Sequence, residues 1–218
     1  MYKVYFKRYY TLSMKYSELA TETVLKTTKD SLELKGYEVE VVKNGKIALE
    51  TIKSSIPNGA SVMNGSSATL KQIGFVDYLK ADGHKWNNIH EKILQEKDQQ
   101  KQSELRKEAT MSEFYLGSVH ALTQDGNFII ASNTGSQLPH IVFTSKNLIF
   151  VVSTKKIVKD INEGLDRLEK HVIPLENSRM MELYGVPTNP SKILLFRDEA
   201  KMIGRKIRFI LVEEDLGF

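Results

Sequence analysis

The run Leu148-Ile149-Phe150-Val151-Val152 constrains the fold more than any other stretch of this sequence. A strand this apolar has no polar face to turn toward water, so both of its faces must be covered. Strands of this kind lie in the middle of parallel sheets. The run therefore predicts an α/β fold, in which a largely parallel sheet carries helices on both faces.

The pattern upstream of this run alternates between helical and extended segments. Apolar residues keep a helical spacing over residues 15–34 and again over 47–56. Extended segments are predicted at Tyr37–Val42, where residue types alternate, and at Ser61–Met63. This order favours βαβ units and agrees with a parallel sheet.

The second half of the chain supplies further strands and the clearest helix. That helix is predicted from Asp160 onward, because apolar residues at 161, 165, 168 and 172 repeat every three or four positions. Asp160 and Glu163 resemble a capping box at its start. Further strands are predicted over 114–121 and 128–130, and buried strands over 193–196 and 207–212.

The length of 218 residues suits one domain, predicted over residues 15–218, after an N-terminal extension of residues 1–14. A polar helical excursion is expected over about residues 87–108. No apolar run approaches the ~20 residues that span a bilayer, and the N-terminus lacks an apolar signal core, so we expect a cytoplasmic protein that does not enter membranes. The absence of cysteine excludes disulfides, thiolate zinc sites and cysteine-ligated iron–sulfur clusters from this chain.

The balance of charge is mildly basic, at +4, with 31 Lys and Arg residues against 27 Asp and Glu residues. Residues 1–11 mix tyrosines with basic residues, a pattern that can bind nucleic acid. A peripheral terminal segment has the same composition and is the commoner case. The small excess of charge fits a preference for small anions as well as it fits nucleic acid.

The first candidate site follows the strand at 61–63 and comprises Asn64, Gly65, Ser66, Ser67 and Thr69. A strand ends, a glycine permits a tight turn, and hydroxyl residues open a helix, where free backbone N–H groups favour an anion. Loops at the carboxyl ends of parallel strands are also common ligand sites. The other interpretation is that Ser66 or Ser67 only caps the helix. The segment fits neither nucleotide-binding glycine motif.

The second candidate loop comprises Thr134, Gly135, Ser136 and Gln137, with His140 shortly after it. Polar loops of small residues after an apolar strand often line sites, although ordinary turns look similar. His140 is a candidate acid or base, and a structural histidine is the alternative. The five histidines are dispersed and no pair has metal-ligand spacing, so no metal site is predicted.

These segments also carry a family resemblance. The chain resembles the LUD-domain proteins, also called LutC/YkgG-like or lactate-utilisation proteins. The resembling segments are residues 56–62 (IPNGASV), 65–70 (GSSATL), 73–75 (IGF), 121–126 (ALTQDG), 156–158 (KIV), 210–212 (ILV) and 216–218 (LGF). The segments match the family as a set, in order and spacing, over roughly residues 15–218, and ALTQDG is similar to the family's A-I-T-E-D-G turn.

The resemblance implies a fold similar to the sugar-phosphate isomerase, glucosamine-phosphate deaminase and CoA-transferase group, in which a Gly-Ser/Thr-rich loop after an early strand holds phosphate. It also implies an association with L-lactate oxidation beside iron–sulfur subunits. One departure stands out. Where many members have T-G-N-R, this chain has Thr134-Gly135-Ser136-Gln137, so the forked cation of the arginine is missing from that loop.

The leading hypothesis is a LUD-domain protein that binds a small anionic metabolite as the non-cluster subunit of an L-lactate-oxidising system. No cofactor is assigned to this chain, and an iron–sulfur or flavin partner protein would supply redox chemistry. The alternative is a stand-alone enzyme acting on a sugar phosphate or a related small substrate, with Asp125 and His140 as acid/base groups and Lys156 as a charge stabiliser. A third hypothesis is nucleic-acid binding through the N-terminus. A homo-oligomer is compatible with each of these.

Overall fold

The computed structural model describes residues 15–81 and 83–218, so the extension predicted for residues 1–14 lies outside the described residues. The helices are α1 (Glu22–Leu34), α2 (Gly45–Ser55), α3 (Ala68–Gln72), α4 (Phe75–Lys80), α5 (Ile89–Gln95), α6 (Gln99–Glu108), α7 (Ile161–Arg167) and α8 (Ile173–Tyr184). The strands are β1 (Glu38–Val42), β2 (Ser61–Asn64), β3 (Asn87–Asn88), β4 (Phe114–Gly117), β5 (Ala121–Thr123), β6 (Phe128–Ser132), β7 (Asn147–Ser153), β8 (Ile157–Val158), β9 (Lys192–Phe196) and β10 (Lys206–Val212).

The main sheet of the described chain is parallel throughout and has six strands in the order β1-β10-β7-β4-β2-β3. The predicted α/β fold is therefore confirmed. The apolar run lies in β7, between β10 and β4. Ile149 and Val151 pack on one face with residues of α2, whereas Leu148, Phe150 and Val152 pack on the other. Both faces are buried, as a strand without a polar side requires.

A second sheet covers the face of the main sheet opposite α2. Its strands run in the order β8-β5-β6-β9, and β6 pairs antiparallel with both β5 and β9. Phe128 of β6 packs against Phe150 of β7, with ring centroids 5.1 Å apart. The single strand predicted over 114–121 is wrong, because the chain leaves the main sheet after β4 and enters the second sheet at β5.

The buried strand predicted over 193–196 is also corrected. In the described chain β9 pairs with β6 alone and forms an edge of the second sheet. As a result Ile193 and Leu195 remain 47% and 39% exposed. Apolar composition alone does not distinguish such an edge strand from a central one.

Two helix boundaries differ from the predictions. Helix α1 begins at Glu22 rather than at residue 15, because the Thr21 side chain caps it by accepting a hydrogen bond from the N–H of Val24. The helix predicted from Asp160 onward ends its regular turns at Arg167 and continues as a π-helical turn into α8. The polar excursion contains α5 and α6, separated where Asp98 caps α6.

Among residues 15–81 and 83–218, no helix combines the length and apolar character needed to cross a bilayer.

The carboxyl ends of four parallel strands meet at one edge of the main sheet. They are Asn64 of β2, Gly117 of β4, Ser153 of β7 and Val212 of β10. Loops that follow these ends are therefore brought together, which is where parallel α/β sheets commonly bind ligands.

Candidate anion-binding site

Lys156 lies at the centre of this carboxyl edge. A short 3₁₀ turn after β7 places it there, and its side chain is almost fully buried, with the residue 4% exposed. Its ammonium group donates hydrogen bonds to Thr69 Oγ1 at 2.9 Å and to Ser118 Oγ at 3.1 Å. Thr69 belongs to α3, which follows β2, and Ser118 follows β4. One buried cation thus joins the loops that follow three strands.

The charge of the Lys156 ammonium group is not compensated by a carboxylate among the described residues. In the part of the chain that the structure describes, no salt bridge involves Lys156 or Arg167, while Lys155 pairs with Asp215. Burial lowers the pKa of Lys156 well below its ordinary value, and repulsion by Arg167 and Lys155 lowers it further. An anion placed beside the ammonium group would oppose both effects.

Two further buried side chains that can bind an anion, Arg167 and His171, lie along the helix that follows β8. Arg167 has no exposed surface, and its Nη1 donates to the carbonyl of His120, two residues after Ser118. The Tyr16 ring lies against both side chains, 5.8 Å from Arg167 Cζ and 5.7 Å from the His171 ring. Burial lowers the pKa of Arg167 to about 10 and that of His171 to about 4. At neutral pH the arginine is charged and the histidine is neutral.

The first predicted loop lies at this same edge, but its residues differ in what they do. Ser67 caps α3, with its side chain accepting from the N–H of Leu70 at 3.2 Å. The Gly65 N–H donates to the Leu116 carbonyl at 3.2 Å, so it is not free for an anion. Asn64 donates to the Gly65 carbonyl at 3.1 Å, and its side-chain oxygen is buried without a partner. Ser66 precedes the cap, and Thr69 holds Lys156.

The prediction that glycine is needed at position 65 for a tight turn is wrong. Its φ does not fall in the left-handed region, so no tight turn demands glycine there. Close approach demands it instead: a Cβ at this position would collide with the Tyr115 hydroxyl and lie 2.8 Å from Gln137 Oε1. The Tyr115 hydroxyl itself donates to Gln137 Oε1 at 3.2 Å. The two predicted loops therefore meet at Tyr115.

The second predicted loop is held mainly by its own hydrogen bonds. Thr134 donates to Ser136 Oγ at 3.0 Å, and Gly135 has a left-handed φ of 82° beside Lys192. Gln137 Nε2 donates to the Ala131 carbonyl at 3.2 Å, so its amide is engaged at both ends. Of this loop, only Gln137 is brought against a residue of the first loop.

The three residues proposed for catalysis are not brought together. His140 is buried beside the amino ends of β4 and β7, where its Nδ1 contacts Ser145 Oγ at 2.9 Å and Ser112 Oγ at 3.3 Å. Burial lowers its pKa to about 4. Asp125 holds the turn between β5 and β6, accepting from Asn127 Nδ2 at 2.7 Å. Lys156 lies beyond the opposite, carboxyl end of β7.

Sequence reasoning missed Arg167, His171 and Gly217. A signal for the first two was present: Gly164, Arg167 and His171 recur at intervals of three and four residues, which puts them on one helical face. Gly217 has a φ of 69°, and its carbonyl accepts from Lys155 Nζ at 2.9 Å. A Cβ there would collide with Thr69 and lie 2.8 Å from Lys156 Nζ, so the segment after β10 packs tightly over the site.

Within the described ranges, no group of three His, Asp or Glu side chains is arranged to hold a metal ion.

A family model described as the LUD domain matches residues 25–195. The crystal structure of a DUF162 family protein from Deinococcus radiodurans is similar over 89% of this chain and 99% of that chain, with a TM-score of 0.55 and 13% sequence identity. At that identity the likeness concerns the fold alone. No curated protein sequence matches significantly.

Proposed function

The chain belongs to the LUD-domain family, and we propose that it binds a small anionic metabolite at the carboxyl edge of its main sheet, with Lys156 at the centre of the site. The observation that carries this proposal is the buried ammonium group of Lys156, which contacts two hydroxyls and no carboxylate among the described residues.

A buried cation without a counter-charge is unfavourable, since burial removes its hydration and nothing replaces it. Lys156 therefore either loses its proton or pairs with an anion from outside the chain. Residues 1–14, which lie outside the described ranges, contain no Asp or Glu.

The groups around Lys156 suit a small oxyanion. Hydroxyls of Thr69 and Ser118 are within hydrogen-bond distance of the ammonium group and can donate to an anion held by it. Arg167 and Lys155 lie close enough to influence the pKa of Lys156 and add positive potential. The unpartnered oxygen of Asn64 offers an acceptor for a hydroxyl of the ligand.

The test compares thermal stabilisation by inorganic phosphate, sulfate and acetate in three proteins: wild type, Lys156→Met and the control Lys159→Met. Lys159 is exposed and lies three residues from Lys156, so its loss changes net charge equally without touching the site. A bound anion at ~100 times its Kd should stabilise the fold by about 2.7 kcal/mol. We expect that shift in wild type and Lys159→Met, and its loss in Lys156→Met. Equal shifts in all three would contradict the proposal.

Partnership with an iron–sulfur or flavin protein in lactate oxidation stays a prediction that follows from the resemblance and from the absence of cysteine. Affinity purification of the tagged chain at native expression, followed by identification of bound proteins, tests it. Recovery of the bare chain alone would count against this role, while leaving anion binding untouched.

A further inference from the structure

Arg167 has a buried polar edge that no other described residue pairs with. Among the described residues it is the only arginine with buried nitrogen atoms that lack a hydrogen-bond partner, and these atoms are Nε and Nη2. The third nitrogen, Nη1, donates to the His120 carbonyl. The guanidinium plane is therefore anchored on one side and unsatisfied on the other.

The two nitrogen atoms without a hydrogen-bond partner form one edge of the guanidinium group, because Nε–H and an N–H of Nη2 point in the same direction. This edge binds a carboxylate or phosphate through two parallel hydrogen bonds. The same protein shows the arrangement at its surface: Arg179 Nε and Nη2 donate to the two oxygens of Glu176 at 2.7 and 2.6 Å. At Arg167 no such oxygens are supplied by the described residues.

His171, four residues further along the same helical segment, adds two more unpartnered atoms. Both of its ring nitrogens are buried without a partner, and the residue is 4% exposed. Arg167 and His171 flank the same Tyr16 ring. Four nitrogen atoms on two neighbouring buried side chains are thus left without partners. Buried polar groups are rarely left so, and a concentration of them calls for an explanation.

We infer that the Nε–Nη2 edge of Arg167 is a preformed clamp for the oxyanion group of the ligand, with the neutral His171 ring completing its hydrogen bonds. This inference rests on the proposed function and narrows it to ligands that present two coplanar oxygens, as a carboxylate or a phosphate does. A single-atom anion such as chloride has no second acceptor atom and cannot make the two parallel hydrogen bonds. Arg167 is then the residue that selects the ligand, and Lys156 supplies attraction.

Arg167 stays in place without the ligand, which suits a preformed clamp. The His120 carbonyl and the Tyr16 ring hold it, and with a pKa of about 10 it remains charged at neutral pH. Its position on the helical segment that packs on β5 and β8 ties it to the body of the protein. Little ordering is then required when an oxyanion binds.

The direct experiment is NMR of the Arg167 Nε–Hε group in ¹⁵N-arginine-labelled wild-type protein, titrated with sodium acetate, sodium phosphate or sodium chloride at constant ionic strength. Comparison with Arg167→Lys assigns the signal. We expect acetate or phosphate to move the Nε–Hε resonance with saturation and chloride to leave it in place. Tighter binding of acetate would identify the ligand group as a carboxylate, and tighter binding of phosphate would identify it as a phosphate.

Calorimetric titration of the same anions into Arg167→Lys and Lys156→Met separates this inference from the proposed function. Lysine keeps the charge but loses the fork, so we expect Arg167→Lys to bind at least about tenfold more weakly. The clamp would be overturned if the Nε–Hε signal did not move, Arg167→Lys bound the anions with unchanged affinity and Lys156→Met lost binding. That result would still support the proposed anion site at Lys156. Absence of binding to wild type by every anion would overturn both. If Arg167→Lys fails to fold, triple-resonance spectra that link the side chain to its backbone assign the wild-type Arg167 signal, and its titration still decides.

Discussion

The contact between Gly65 and Tyr115 allows a quantitative test of how the two predicted loops are joined. Gly65→Ala introduces a Cβ that collides with the Tyr115 hydroxyl and lies 2.8 Å from Gln137 Oε1. Because the φ of Gly65 is not left-handed, alanine suffers no backbone strain there, and the whole cost is steric. Overpacking of this kind typically costs about 1–3 kcal/mol.

A second term, which acts through the unfolded chain, offsets part of this cost. Alanine reduces the conformational freedom of the unfolded chain, which contributes about 0.4–1 kcal/mol of stability. The net destabilisation of Gly65→Ala should therefore be roughly 0.5–2 kcal/mol. Tyr115→Phe alone removes one hydrogen bond, to Gln137, and should cost about 1 kcal/mol.

The double variant Gly65→Ala/Tyr115→Phe tests the geometry, because phenylalanine vacates the space that the new methyl group needs. We expect it to be less destabilised than the sum of the single variants, by about 1 kcal/mol in a double-mutant cycle. Urea denaturation at neutral pH measures the four free energies of unfolding, those of wild type, the two single variants and the double variant. Strict additivity would refute the reasoning, since it would mean that Gly65 does not face the Tyr115 hydroxyl.

Three other outcomes follow from the structure. Because Ser67 caps α3, Ser67→Ala should lower the free energy of unfolding by about 0.5–2 kcal/mol in urea denaturation and leave anion affinity unchanged. A loss of affinity larger than the loss of stability explains would make Ser67 a ligand contact. Gly217→Ala should weaken anion binding in calorimetry, because its Cβ presses on Lys156 and its φ is left-handed; unchanged affinity would place the segment after β10 away from the site. Burial lowers the pKa values of His140 and His171 to about 4, so the unfolded chain takes up protons first as the pH falls. Stability should then be full above about pH 6.5 and decline toward pH 4, by roughly 3 kcal/mol per histidine, and a flat profile of urea midpoints would contradict this.

The parts of the fold that the sequence predicted well are those where one physical requirement dominates. The run in β7 has no polar residue to expose, so a central position in a covered sheet was its only stable place. The run in β9 looks similar but lies at an edge, because its partner β6 belongs to a second sheet. Which strands pair across long stretches of chain depends on tertiary packing, and local composition does not encode it.

The candidate site also contains residues that the sequence located and residues that it missed. The loop from Asn64 to Thr69 could be located because a strand that ends before small hydroxyl residues has a recognisable form. Arg167 and His171 were missed although they share a helical spacing with Gly164, because the apolar positions 161, 165, 168 and 172 predicted a different buried face. Leu165 is in fact 39% exposed, and Gly164 and Arg167 are buried instead. A charged residue on a buried face contradicts the ordinary pattern, and such exceptions are common at functional sites.

The pKa of Lys156 tests the central claim most directly. It can be followed by ¹³Cε chemical shifts in ¹³C-lysine-labelled protein, titrated with and without saturating sulfate, with Lys156→Met to assign the signal. Without sulfate, we expect Lys156 to titrate well below the ordinary lysine pKa of 10.5. With sulfate bound, its pKa should rise toward that value, because the anion stabilises the ammonium form. By linkage, affinity for sulfate should fall as the pH rises between the two pKa values. A Lys156 that titrates at its ordinary value and does not respond to sulfate would contradict the account.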